Sequence, residues 1–104
     1  MREEKPGEAV ATAYLGQQLN FLGNEVLGTQ TALDALQIAE KALSNQAIGI
    51  VYDLLASCYI SDLAKFRMYE EKALPYATAA GDDFTITGCK MFECKSSVAV
   101  SVTA

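Results

Sequence analysis

Residues 16–47, GQQLNFLGNEVLGTQTALDALQIAEKALSNQA, constrain this chain more than any other stretch. Leu15, Leu19, Leu22 and Val26 recur at intervals that lay four apolar side chains along one helical face. Downstream, Ala32, Ala35, Leu36, Ala39, Ala42 and Leu43 form a second stripe made mostly of alanine. Small residues on one helix let larger side chains of a partner sit close, so the pattern predicts an antiparallel pair with leucines against alanines. A tight turn is expected around Gly28-Thr29-Gln30, with Thr31 and Asp34 as a capping box in which Asp replaces the usual Glu or Gln. Leu22, Leu36, Leu43 and Leu55 are expected in the core.

Leu22-Gly23, Val26, Ala35 twelve residues after the glycine, and Ala42-Leu43 seven further resemble a tetratricopeptide repeat, best matched over residues 16–47. In that family the small residue after the leucine admits the second helix, and the later alanines face it. Ala39 stands where an aromatic is usual, and Ala47 where a proline often closes the repeat. Ala56, between Leu55 and Tyr59, follows Gly23 by 33 residues, and Gly88, between Phe84 and Met91, follows Ala56 by 32. Tyr69, Ala73 and Leu74 look like the end of a second repeat. The resemblance implies an all-α fold of stacked antiparallel hairpins with four to five helices. The other reading of these spacings is an ordinary antiparallel helical bundle.

One domain accounts for 104 residues, half of them hydrophobic. The expected units are a first hairpin over 6–46, a second over 47–81, and a third partial unit or tail over 82–104. Pro6 suits the first turn of a helix running to Leu27, and Glu8 suits its positive end. Ser44-Asn45-Gln46 connects to a third helix over 47–60, the most buried-looking element, with Ile48, Val51, Tyr52, Leu55, Cys58 and Tyr59 on its apolar face. Ser61-Asp62 caps a fourth helix over 63–80, in which Pro75 predicts a kink or break and Gly81 the stop. Beyond Asp82-Asp83 the signals conflict. Periodicity favours a helix over 84–94 with 98–104 extended, whereas Phe84–Thr87 and Val98–Thr103 alternate like the strands of a β-hairpin.

Composition removes several chemistries. The chain has no histidine, which excludes Ser-His and Cys-His nucleophile pairs and the commonest metal ligand. Cys58, Cys89 and Cys94 lack paired zinc spacing and are expected to be reduced and unligated. Glu3-Glu4, Glu70-Glu71 and Asp82-Asp83 are adjacent pairs, which do not face each other on a helix. No phosphate-binding glycine loop occurs, and Tyr52, Tyr59, Tyr69 and Tyr76 are expected as core residues. A net charge of −5 with scattered basic residues argues against nucleic acid. No apolar run is long enough to span a membrane, and the charged start lacks the pattern of an export signal, so a cytoplasmic location is expected.

These features point to a non-catalytic interaction or assembly module, a small helical binding protein or chaperone, with no cofactor and no metal. The alternative is a structural helical subunit of a larger complex. A repeat stack needs about three units for independent stability, so a homo-oligomer or a place in a complex is expected. The resemblance implies that the first helix of each pair lines the binding face, which puts Asn20, Phe21, Asn24, Asp53 and Ser57 there. In family members that clamp a carboxylate, such asparagines work beside lysines. Here Phe21 and Gly28 stand where polar and basic groups would be wanted, and Asp53 adds negative charge. A neutral or basic protein or peptide partner is therefore expected.

Overall fold

A computed structural model describes residues 6–83 and 85–87. The fold is all-α, with no strand among the described residues. Four helices follow in order: α1 (Pro6–Phe21), α2 (Glu25–Ala42), α3 (Asn45–Ser57) and α4 (Leu63–Ala80). Helical backbone resumes at residues 83 and 85–87. Among these residues no helix is long and apolar enough to cross a membrane. Cys89, Cys94 and Gly88, the third partial unit beyond Thr87, and the choice between tail and hairpin lie outside the described residues.

The first turn is Leu22-Gly23-Asn24, six residues before the position expected at Gly28–Gln30. Gly23 adopts φ +94°, a left-handed conformation that a residue with a Cβ enters only at a cost. This is the local reason α1 stops at Phe21 instead of running to Leu27. Gly28 therefore lies inside α2, and Thr31 is no cap: its hydroxyl donates to the Leu27 carbonyl at 2.7 Å, within the helix.

The first hairpin closes on small residues from both helices. Ala9, Ala13 and Gly16 of α1 are buried, facing Gly28, Ala32, Ala35 and Ala39 of α2. A Cβ placed on Gly16 would stand 2.6 Å from the Gly28 carbonyl oxygen, and one on Gly28 would stand 2.6 Å from the Gly16 carbonyl oxygen. Backbone thus meets backbone at this crossing. The interval from Gly16 to Gly28 is twelve residues, the interval read from Gly23 to Ala35, but in a register seven residues earlier. The leucines do not fill this interface: Leu22 is 83 % exposed, Val26 85 % and Leu15 more than half. Leu43 is also exposed and caps α2 in the left-handed conformation, with its N–H donating to the Glu40 carbonyl. The expectation that Leu22 and Leu43 are core residues is overturned: Leu22 falls in the first turn, past a crossing where two glycines bring the backbones together, and Leu43 falls at the C-cap of α2. Leu55 is fully buried, and Leu36 is half-buried against the core.

Helix α3 is the centre of the molecule. Ser44 caps it by accepting from the Ala47 N–H at 3.2 Å. Ile48, Val51, Leu54 and Leu55 are buried, and Leu55 and Val51 are the largest fully buried side chains. Burial on this scale stabilises by about 1.5–3 kcal/mol per large aliphatic side chain. Among the four described helices, α3 packs on α1, α2 and α4, whereas α4 packs on α3 and on neither α1 nor α2. The hairpins therefore stack in series rather than closing into a four-helix bundle. In the second hairpin Gly49 is the small residue, 3.0 Å from the Ala77 amide nitrogen to an added Cβ.

The ends of α4 follow the sequence signals. The Asp62 carboxylate accepts from the Lys65 N–H, and Gly81 turns left-handed at φ +68°. The Asp82 N–H then reaches back to the Ala77 carbonyl at 3.0 Å. The break or kink expected at Pro75 leaves no interruption: α4 runs unbroken through it, with Pro75 exposed. The tyrosines expected in the core form a ladder across α3 and α4 instead, half-buried at Tyr52, Tyr59 and Tyr69 and exposed at Tyr76. Tyr76, Tyr52, Tyr69 and Tyr59 stack in that order, with ring centroids 5.9, 6.2 and 5.4 Å apart. Lys72 lies over Tyr52 and Tyr69, and Lys65 over Tyr59, so each ammonium meets an electron-rich ring face.

Candidate functional site

Because α2 reverses the chain, α1 and α3 run side by side in the same direction. Val10, Tyr14 and Gln17 recur at helical spacing along α1, and Gln46, Ile50, Asp53 and Ser57 along α3. The two rows meet. Gln17 donates to the Ser57 hydroxyl at 3.0 Å, and Val10 and Tyr14 share a cleft with Ile50 and Asp53.

The cleft has a narrow and a wide part. The narrow part, about 140 Å³, is closed by Asp82 and Thr85 from the start of the fifth helical segment. The wide part, about 470 Å³, opens toward the N-terminal ends of α1 and α3, between Pro6, Val10, Ala11 and Tyr14 on one side and Gln46, Ala47 and Ile50 on the other. Its walls are apolar and its closed end is acidic. No basic side chain lines either part among the described residues.

The acidic end is held in place. Asp82 caps the fifth segment: its carboxylate accepts from the Thr85 N–H at 3.3 Å and from the Thr85 hydroxyl at 2.7 Å. Thr85 is buried, so this cap is fixed against α3. Loss of solvent raises the Asp53 carboxyl above its ordinary value; a hydrogen bond from the buried Glu70 of α4 acts in the opposite direction, and the negative charge of Asp82 adds to the rise. A cation entering the cleft would relieve both desolvation and repulsion.

The five residues proposed for a binding face separate into three places. Asp53 lines the cleft. Asn20 and Ser57 lie at the other end of the α1–α3 seam, both half-buried. There the Asn20 side-chain amide points to the Cys58 carbonyl at 3.5 Å, and Ser57 donates to the Leu54 carbonyl. Phe21 is 58 % exposed at the end of α1. Asn24 is exposed at the start of α2 and makes no side-chain cap. Asn20 and Ser57 thus spend hydrogen-bonding capacity within the chain.

Sequence reasoning missed Val10, Tyr14, Gln46 and Ile50. For Val10 and Tyr14 the signal was an apolar pair ten to fourteen residues into the chain, one register away from the leucines that drew attention. Cys58 is half-buried with its thiol directed at the Leu54 carbonyl, and burial pushes its pKa up, which keeps it protonated and unreactive. No three metal-ligating side chains gather among the described residues. Comparison with known protein families, with curated proteins and with solved structures finds no match to this chain.

Proposed function

We propose that this chain is a non-catalytic interaction module that holds an extended segment of a protein or peptide partner in the cleft between α1 and α3. One observation carries this reading: an apolar trough whose closed end presents Asp53 and Asp82, with no cation among the described residues that line it. Apolar walls favour burial of partner side chains, and paired carboxylates favour a basic group among them. The preferred partner is an apolar segment containing a lysine or arginine. Serial stacking of two hairpins, with the cleft on the first helix of each, supports the likeness to tetratricopeptide repeats. Phe21 and the α1–α3 seam at Asn20 and Ser57 extend the same face toward the other end of the molecule.

Selection from a displayed library of random peptides tests the reading. Peptides with Lys or Arg between apolar residues should be enriched on the parent protein. Enrichment should vanish with Ile50→Lys, which fills the trough and places a cation beside the carboxylates. Enrichment that survives Ile50→Lys would refute the site.

A second reading is a structural subunit of a larger helical complex. It draws on Phe21, Ile60 and Leu63, all more than half exposed. They sit where the two hairpin turns come together, as the Asn20–Cys58 contact indicates. A structural subunit should aggregate when produced alone, whereas a binding module should remain monodisperse and select peptides.

A further inference from the structure

The first hairpin has a second face, opposite the one that meets α3. On α1, Leu15 and Leu19 lie about 140° around the helix from Val10, Tyr14 and Gln17, the row that meets α3, and Leu22, the first residue of the turn, continues their line through its N–H bond to the Gln18 carbonyl. On α2 the side turned to α3 is marked by Glu40, whose charge acts on Tyr52. Leu27 and Thr31 lie well around the helix from Glu40, on the same outer side as the leucines of α1. Leu15, Leu22 and Leu27 are 55 %, 83 % and 50 % exposed, and α4 does not reach this hairpin.

We infer that this leucine face is covered by a second copy of the chain, giving a two-fold dimer through the outer sides of α1 and α2. Charge selects the occupant. The chain carries a net −5, so two copies repel unless they meet through a neutral surface. The patch around Leu15, Leu19, Leu22, Leu27 and Thr31 holds no ionisable residue. Its acidic margin is Asp34, one turn beyond Thr31, and Glu8, two turns before Leu15; both lie on the side away from the first turn, so a two-fold axis through the leucines keeps the two margins apart. A basic partner would find no carboxylate within the leucine patch itself, only at its margin, whereas the closed end of the cleft is built on Asp53 and Asp82.

Area agrees with a reversible dimer. An exposed leucine offers on the order of 100 Å² of apolar surface, so the leucines present roughly 300 Å² per copy. With the rim of Ala11, Gln18 and Thr31 on both copies, the buried total reaches about 1,000 Å², the lower bound for a specific interface.

Sedimentation equilibrium on the full chain, over about 5–200 μM, tests the assignment. A monomer–dimer equilibrium is expected, shifting toward dimer as salt screens the net charge. Leu15→Glu with Leu22→Glu should weaken the dimer at least tenfold with an unchanged circular dichroism spectrum. Leu22→Lys, at a side chain that touches little of its own chain, serves if the double variant fails to fold. Ile50→Lys should leave the dimer intact. A parent protein that stays monomeric throughout, or variants that dimerise as well as the parent, would overturn the inference. A monomer that binds neutral phosphatidylcholine vesicles through these leucines would overturn it too, and would assign the face to lipid.

Discussion

The contact between Gly16 and Gly28 makes a quantitative demand on the fold. In Gly28→Ala the new methyl would lie 2.6 Å from the Gly16 carbonyl oxygen and 2.7 Å from the Asn20 nitrogen, both backbone atoms. Neither can rotate away as a side chain would. Restoring ordinary contact at 3.4 Å requires α1 and α2 to separate by about 0.8 Å. That separation loosens every small-residue contact along the hairpin, from Ala9 and Ala13 to Ala32, Ala35 and Ala39. A radial gap of this size forfeits about a quarter to a half of each contact's dispersion energy. Overpacking of this kind costs about 1–3 kcal/mol, with the upper end appropriate to a backbone obstacle. Against it stands about 1 kcal/mol gained from alanine's helix propensity. The net expectation is a loss of about 1–2 kcal/mol, or roughly 5–15 °C in Tm for a domain of this size.

Two other glycines calibrate the argument. At Gly49 an added methyl stands 3.0 Å from the Ala77 nitrogen, so the shift needed is a few tenths of an ångström and Gly49→Ala should be within about 0.5 kcal/mol of neutral. At Gly7 nothing lies within 4 Å, and Gly7→Ala should stabilise by about 0.4–1 kcal/mol. Urea denaturation of the three variants, followed by circular dichroism, reads the series directly. Combining Gly16→Ala with Gly28→Ala should cost less than the two losses added, because the first substitution already parts the helices. If Gly28→Ala is as stable as the parent, the hairpin does not close backbone on backbone, and the account of why the leucines face outward falls with it.

Leu55→Ala should lose about 2–5 kcal/mol in the same assay, whereas Leu43→Ala should stay within about 0.5 kcal/mol of the parent; equal losses would refute the assignment of core and surface. Asp62→Ala removes the acceptor for the Lys65 N–H and should cost about 0.5–2 kcal/mol, with rescue by Asp62→Ser. The raised pKa of Asp53 means that the folded chain holds its proton more tightly than the unfolded chain does, so the contribution is stabilising below the unfolded value of 3.8 and is lost as pH rises through the higher folded value. Asp53→Asn should therefore stabilise the protein at neutral pH and flatten stability against pH above that range; a variant less stable than the parent at pH 7 would contradict the desolvated carboxyl.

The helical class and both ends of the fourth helix were legible because each has a local cause. Asp62 and Gly81 act at the positions their chemistry marks, and the third helix is the buried centre its dense apolar face announced, although it starts at Asn45, inside the segment expected as a connection, and ends at Ser57. The register of the first hairpin was not legible. Periodicity reports that Leu15, Leu19, Leu22 and Val26 share a face, but it is silent on which face a helix buries. Gly23 and Gly28 compete for the turn, and local propensity does not rank them. What decides is tertiary: Gly28 fits only against Gly16, and a turn there would remove that contact. Pro75 shows the same limit, since a helix held by Phe66, Ala73 and Ala77 against α3 absorbs one missing N–H. Of the five face residues, Asp53 reached the cleft because its place on α3 did not depend on the first turn. Asn20 and Asn24 were placed from a register seven residues late.

The glycine contact also explains why α1 can have two jobs. A helix packed through a broad leucine stripe buries its bulky side chains and has only polar residues left to show. α1 packs on α2 through Ala9, Ala13 and Gly16, a stripe that uses almost no side-chain volume. Its larger apolar residues are thereby released in two directions: Val10 and Tyr14 toward the cleft beside α3, and Leu15, Leu19 and Leu22 toward the outside. The two surfaces differ in charge, one ending in carboxylates and the other neutral, so they suit different partners. A closed four-helix bundle of the same length would have buried both rows. Among the described helices, α4 rests on α3 and on neither helix of the first hairpin, so it covers neither row.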